Sequence, residues 1–232
     1  RRVLFRSNLL IFGGEGMEFV RARSDAQKDL RIQQIKEIAI KQYEIHGYDK
    51  ISMKSISSEL DFSRSNLYKY YTSKELIFTD ILCDDLLLWT DELCSRLEKE
   101  ERMSHRDLCT FIAEVTARHM RMIGLMTFLP PILSKSVDIK ALMVYKDKIS
   151  GKMDYFLSLL QKHIPELSLR EIYLFGEYQF RYSMSSYQTM LREPIEGLMP
   201  EADELCPINF DFESSYKEYV YIILKGIIAN RD

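Results

Sequence analysis

Strand-forming residues are scarce in this chain. Six valines and seven threonines among 232 residues leave little from which to build a sheet. The six prolines fall mostly at the edges of stretches with helical spacing, so the missing sheet points to an all-α fold. The four cysteines, Cys83, Cys94, Cys109 and Cys206, form no close pair and no metal-ligand spacing. That excludes a disulfide framework and leaves reduced packing thiols. No apolar run reaches the roughly eighteen residues that a membrane span needs, and the most apolar segment, Tyr219 to Ala229, is cut by Lys225. There is no Gly-rich phosphate loop, no metal cluster and no nucleophile motif. Ser, His and Asp occur, but not at a spacing that makes a triad. A soluble, cytoplasmic, non-enzymatic protein without metal or cofactor is the expectation, with no membrane partner.

What the chain does have lies between Gly47 and Phe78. Ser52 is placed to cap a helix whose apolar positions, Met53, Ile56 and Leu60, fall three and four residues apart. Asp61 and Phe62 break the pattern, and Ser63 caps a second helix expected to reach about Tyr71. Thr72 and Ser73 interrupt again before Lys74 opens a third. Two short helices joined by a turn of about three to four residues set a recognition helix against base edges in the major groove. The second helix carries Arg64, Ser65, Asn66, Lys69 and Tyr70 on its polar side, with Leu67 and Tyr71 at an apolar spacing. It is too polar for a core helix and too short to stand alone.

Here the chain resembles the TetR family of bacterial transcriptional regulators. The residues that carry the likeness are Ile35, Ala39, Tyr43, Gly47, Tyr48, Ile51, Ser52, Leu67, Tyr68, Tyr71, Lys74 and Ile77, within about 31–79. Three departures stand out: Gln42 replaces a usually apolar residue, Ser65 a common Gly, and Tyr71 a usual Phe. Gln42 is expected to loosen the small domain slightly, and Ser65 to change what the bases are offered. The resemblance implies about nine helices: a three-helix head, then a larger helical domain for ligand binding and dimerisation.

Residues 1–16 are set apart as a non-native or disordered leader, with Met17 as the expected natural start; a native arm or a poor signal peptide are the alternatives. The head is then 17–78 and the body 79–232. The head holds eleven Lys and Arg against nine Asp and Glu, the body eighteen against twenty-five, giving +2 and −7. A mildly basic head on an acidic body suits a protein that meets DNA with one end. Caps and breaks give the helix map. The first helix runs from about Asp25 to Ile45, and the fourth from Ser73 to about Glu100. The fifth opens at Ser104 and ends near Gly124, and Pro130-Pro131 lie in a break or short helix. Further helices cover about 138–163, Ser168–Leu191 and Asp211–Asn230, with 192–210 as a long connection.

Arg64, Ser65 and Asn66 occupy the first turn of the recognition helix. Arg suits the acceptor pair of guanine, and Asn the donor and acceptor of adenine; a solvated helix start is the alternative. Tyr68 and Tyr70 have hydroxyls for phosphates, and Lys69 and Lys74 supply charge. Ser52 and Lys54 begin the helix that crosses the backbone, although plain capping accounts equally well for Ser52. Tyr71, in the family's Phe place, is expected inside. In the body, the resemblance implies a small-molecule pocket, with Trp89, Phe111, His119, Met122, Phe175 and Tyr178 as candidate lining. Plain core packing is the alternative for each, and the stronger one residue by residue, with His119 a satisfied core histidine. Two heads require a two-fold dimer, whose seam is expected on the last two long helices at or near Phe175, Tyr178, Tyr182, Tyr219, Ile223 and Ile227. The alternative is that these groups pack the two helices onto their own body. The function expected is a dimeric, ligand-responsive regulator, most simply a repressor released from a palindromic operator by a small hydrophobic molecule. The competing class is a helical binding or scaffold protein, or an enzyme hidden in the body, that keeps the head without operator binding.

Overall fold

Nine α-helices make up the regular structure, apart from one 3-10 turn, among the described residues of the computed structural model: 15–136, 139–190 and 211–230. They are α1 (Glu15–His46), α2 (Met53–Ser58), α3 (Arg64–Leu67), α4 (Lys74–Leu97), α5 (His105–Arg118), α6 (Met120–Ser136), α7 (Ile139–His163), α8 (Leu169–Met190) and α9 (Phe212–Ala229), with the 3-10 turn at Tyr48–Lys50. Two compact units meet in sequence between Lys74 and Glu75. The expected leader lies outside the described residues except for Glu15 and Gly16, which open α1 well before the expected Asp25. The expected connection at 192–210, with Cys206, also lies outside them.

In the first unit, α1 buries Ile35 and Ala39, and the following segments bury Tyr48, Ile51, Met53, Ile56, Leu67 and Tyr71. The chain turns out of α1 at Gly47, whose φ of 71° and ψ of 164° lie where only glycine is at ease. Ser52 caps α2 and is answered by Ser55, whose hydroxyl accepts the Ser52 N–H. Ser63 caps α3 by accepting from Asn66 N–H. α3 ends at Leu67 rather than Tyr71. Lys69 N–H and Tyr70 N–H reach back only three residues, to Asn66 O and Leu67 O, and this tightening closes the helix. Gln42 does not loosen this unit. It is 5 % exposed and makes three hydrogen bonds to α2 and its cap, two to Ser55 and one to Glu59.

The second unit packs α9 on α5 and α8, with α6 and α7 also on α8. Its core includes Trp89, Leu93, Leu108, Ile112, Ile123, Leu160, Ile172, Phe175, Tyr216 and Leu224. Ser104 caps α5, Ser168 and Glu171 bond reciprocally at the start of α8, and Asp211 caps α9. The helix expected from Ser104 to Gly124 is broken instead at His119, where φ −107° and ψ 42° leave the helical range. A new helix then runs from Met120 through Pro130 and Pro131 to Ser136, where a break or a short helix was expected. Proline's fixed φ fits a helix and costs it the missing N–H bonds. Burial of Met122, Ile123, Leu129 and Leu133 along one side holds α6 together across that loss.

Two further features fix α4. At its far end, buried His163 accepts Met103 N–H at Nδ1 (3.1 Å) and donates from Nε2 to Leu97 O (2.9 Å). Along its length, Lys148 bridges Asp80 and Asp84, Lys152 pairs with Asp91, and Arg121 grips buried Asp85 at 2.6 and 2.9 Å. Cys83, Cys94 and Cys109 are buried thiols, and burial pushes Cys109 up to about 12. Among the described residues no helix is long and apolar enough to cross a membrane.

Candidate nucleic-acid interface

α2 and α3 form the helix-turn-helix of the first unit. Leu67, with no exposed surface, anchors α3, and Met53 and Ile56 anchor α2. The opposite side of α3 presents Arg64, Ser65, Tyr68 and Lys69 to solvent, with Asn66 half-buried. Arg64 Nη2 donates to Tyr68 Oη at 3.1 Å, and its guanidinium lies 5.6 Å from the ring centroid. This (i, i+4) pair spends an oxygen lone pair of Tyr68 and leaves its proton to donate. The Ser65 hydroxyl lies 2.9 Å from that of the cap, Ser63. Ser52 and Lys54 are exposed at the start of α2. Ser52 Oγ accepts the Ser55 N–H and retains its own proton.

Two candidates are placed differently from the rest. Lys74 is half-buried, and its ammonium donates to Tyr48 O at 3.1 Å and Ile51 O at 2.9 Å, 4.1 Å from the Tyr48 ring centroid. Two of its three N–H bonds are thus used to pin the turn after α1, so it is first a latch of the head and not a free surface charge. Tyr70 lies on the flank. With Lys69 it lines a cleft of about 720 Å³ that also takes in Gln27, Lys28 and Arg31 of α1, and its ring is 6.2 Å from Phe62. Arg31 sits over Phe62 and bonds Asp61 at 2.5 Å, which holds the Asp61 carboxyl below its usual range. Lys41, then Gln42, do the same for Glu59. Both carboxylates that flank the turn are therefore partnered. The residues missed from sequence are Gln42, Ser55 and Arg31. The signal available was the polar Gln42 at an apolar spacing, opposite the serine-rich α2.

Residues 35–81 match the family described as bacterial regulatory proteins, tetR family, and residues 84–231 match the tetracyclin repressor-like C-terminal domain. The chain belongs to the TetR family. A solved structure of the fatty acid degradation regulator FadR from Bacillus halodurans matches 84% of this chain and 95% of its own, with a TM-score of 0.54 and 12% identity. At that identity the likeness carries the fold alone. No curated protein matches the chain. This TetR-family chain is a DNA-binding transcriptional regulator.

The second unit corresponds to the family's C-terminal domain, and there the candidates divide. Trp89, Phe111, Met122 and Phe175 are all at most 5 % exposed. Trp89 lies 5.4 Å from Phe156 of α7 and 5.3 Å from Phe180 of α8, and its indole donates to Thr116 of α5 at 3.1 Å. His119 does not join them: its Nε2 lies 2.9 Å from Glu92 of α4, so it is the satisfied histidine of the α5–α6 break. Glu92 stays below its usual range although burial opposes this, because His119 and Arg118 bond it. Tyr178 is 39 % exposed, unlike the buried four. It lines a groove of about 680 Å³ between α8 and α9 with Leu174, Ile222, Ile223 and Ile227. Tyr182 and Tyr219 stack beside the same helices at 3.8 Å. Phe175, expected at or near the seam, is fully buried within the second unit.

Proposed function

We propose that the protein is a cytoplasmic homodimer whose two heads bind a palindromic operator, and that a small hydrophobic molecule in the body releases it, which makes it a repressor. The observation that carries this is the exposed polar face of a firmly anchored α3. Arg64, Ser65 and Asn66 read base edges there, and Tyr68, Lys69, Tyr70, Ser52 and Lys54 hold phosphates. Lys74 contributes chiefly by fixing the turn at Tyr48. The α8–α9 groove, with Tyr178, Ile223 and Ile227 beside stacked Tyr182 and Tyr219, supports an isologous seam, because two heads on a two-fold operator need matching symmetry.

The effector belongs among Trp89 of α4, Phe111 of α5, Met122 of α6 and Phe175 of α8. α4 supports the coupling, since one helix begins at Lys74 of the head and carries Trp89 in the body. The fatty-acid regulator with the same fold makes acyl compounds the first effectors to try. A duplex selected by the protein from a random library tests the first half: binding must fall steeply with salt, and Asn66→Ala must relax one base position by about 1–3 kcal/mol. Equal affinity for selected and random duplex would end the regulator proposal. Fluorescence of Trp89, the sole tryptophan, tests the second half. A compound that changes it must also lower operator affinity, and by linkage must bind the DNA-bound form more weakly by the same factor.

A further inference from the structure

α2 is too short to stand unaided. It has six residues, three of them serine, and isolated helices that short do not persist in water. Its serines also turn inward on their own backbone. Ser57 Oγ donates to Lys54 O at 2.9 Å, Ser58 Oγ to Ser55 O at 2.7 Å, and Ser55 Oγ lies 2.9 Å from Ser52 O. Such bonds compete with the helix rather than reinforce it. Met53 and Ile56 seat α2 on the core, but two apolar anchors leave its rotation about its own axis soft, because dispersion and burial are non-directional.

Gln42 supplies the missing direction. From α1 its Nε2 donates to Ser55 O at 3.0 Å and to Glu59 Oε1 at 2.7 Å, while its Oε1 accepts the Ser55 hydroxyl at 2.8 Å. Ser55 Oγ in turn accepts the Ser52 N–H at 3.0 Å, and Ser52 Oγ accepts the Ser55 N–H at 3.0 Å. At the other end of α2, the second oxygen of Glu59 takes Lys41 at 2.8 Å. One buried amide thus grips the middle of α2 and its C-cap. Through a single hydroxyl it also holds the cap residue, Ser52, which is exposed, as is Lys54 two residues on.

We infer that Gln42 is a positioning residue for DNA binding: it acts through Ser55 to hold Ser52 and Lys54 in the pose that meets a phosphate. This rests on the DNA-binding reading and deepens it. The amide never touches DNA. Its worth lies in making the two groups that do so arrive pre-oriented, which lowers the entropy lost on binding. The groups that Gln42→Leu leaves behind keep other partners: Ser55 O still accepts the Ser58 hydroxyl, Ser55 Oγ can donate to Ser52 O, and Glu59 keeps Lys41. No buried group is stranded, so the stability loss is small. Affinity and stability therefore separate in the right variant.

The test uses Gln42→Leu, Ser55→Ala and the double variant of the full chain, on a duplex that the parent protein selects from a random library and on a random duplex. Gln42→Leu is expected to keep the parent melting temperature within a few degrees and to lose roughly five- to tenfold affinity on both duplexes, the size of one hydrogen bond. Its salt slope should fall by about 0.9, the share of one phosphate contact. Ser55→Ala should do the same, and the double variant should lose no more than either alone, because both cut one relay. Unchanged affinity in Gln42→Leu, or a loss with an unchanged salt slope, overturns the inference while leaving DNA binding intact. Additive losses in the double variant overturn the relay through Ser55. If the parent selects no duplex, the DNA-binding reading itself fails and the inference falls with it.

Discussion

The clasp at the far end of α4 makes a quantitative prediction. His163→Ala removes both bonds of a fully buried imidazole, leaving Met103 N–H without its acceptor and Leu97 O without its donor. Two stranded backbone groups cost about 1–3 kcal/mol each, and the lower end applies if water enters. A void of roughly 70 Å³ adds about 1.7 kcal/mol at ~24 cal/mol per Å³. The expected loss is therefore about 4 kcal/mol. The two nitrogens have separable substitutes: Asn carries an acceptor near the place of Nδ1, and Gln a donor near that of Nε2. His163→Asn and His163→Gln should each recover one bond and lose about half as much as Ala. Urea unfolding followed by Trp89 fluorescence measures this directly, since Trp89 is the sole tryptophan, 1 % exposed, and lies in the same unit. A loss under about 1 kcal/mol for Ala, or Asn and Gln no better than Ala, would refute the account of this clasp.

Other expectations follow from the same geometry. Lys74→Met keeps the stem but not the donors to Tyr48 O and Ile51 O, so it should destabilise the head by about 1–2 kcal/mol, read by amide exchange of 48–51. A fall in DNA affinity with no change in exchange would make Lys74 a phosphate contact instead. Glu92 is held below its ordinary range, so its stabilising contribution is present above that range and lost as pH falls through the folded value. Body stability should therefore drop as pH falls below the ordinary carboxylate range, and Glu92→Gln should flatten that part of the urea-midpoint profile. Glu59 and Asp61 shift in the same direction and should make the head acid-sensitive in the same sense. Cys109, buried and with its thiol pushed up to about 12, should resist iodoacetamide in the native protein and react once urea unfolds it.

The parts of the molecule that were legible in the sequence are those decided by near neighbours. Ser52, Ser63, Ser104, Ser168 and Asp211 each cap within three residues, and each cap is where its residue type placed it. The helix-turn-helix could be read for the same reason. Features decided by distant partners could not. The carbonyls that take Lys74 lie 23 and 26 residues earlier in the chain, so its charge read as free. Gln42 looked like a flaw in an apolar stripe because the serine that completes it lies thirteen residues on. Pro130-Pro131 read as a break or a short helix because a local rule speaks of lost N–H bonds and not of the burial around them. The turn at His119 has no local breaker at all; its bond to Glu92 spans 27 residues.

Gly47 carries a constraint of another kind. An added Cβ there would meet nothing within 4 Å, so no neighbour stands in its way. Only the backbone forbids it, with φ 71° and ψ 164° outside the left-handed well that asparagine tolerates. No compensating change elsewhere can make room, because room is not what is lacking. The position is therefore free of packing epistasis: the energetic cost of a substitution at Gly47 should be the same in any genetic background that keeps this turn, whatever drift occurs in the helices around it.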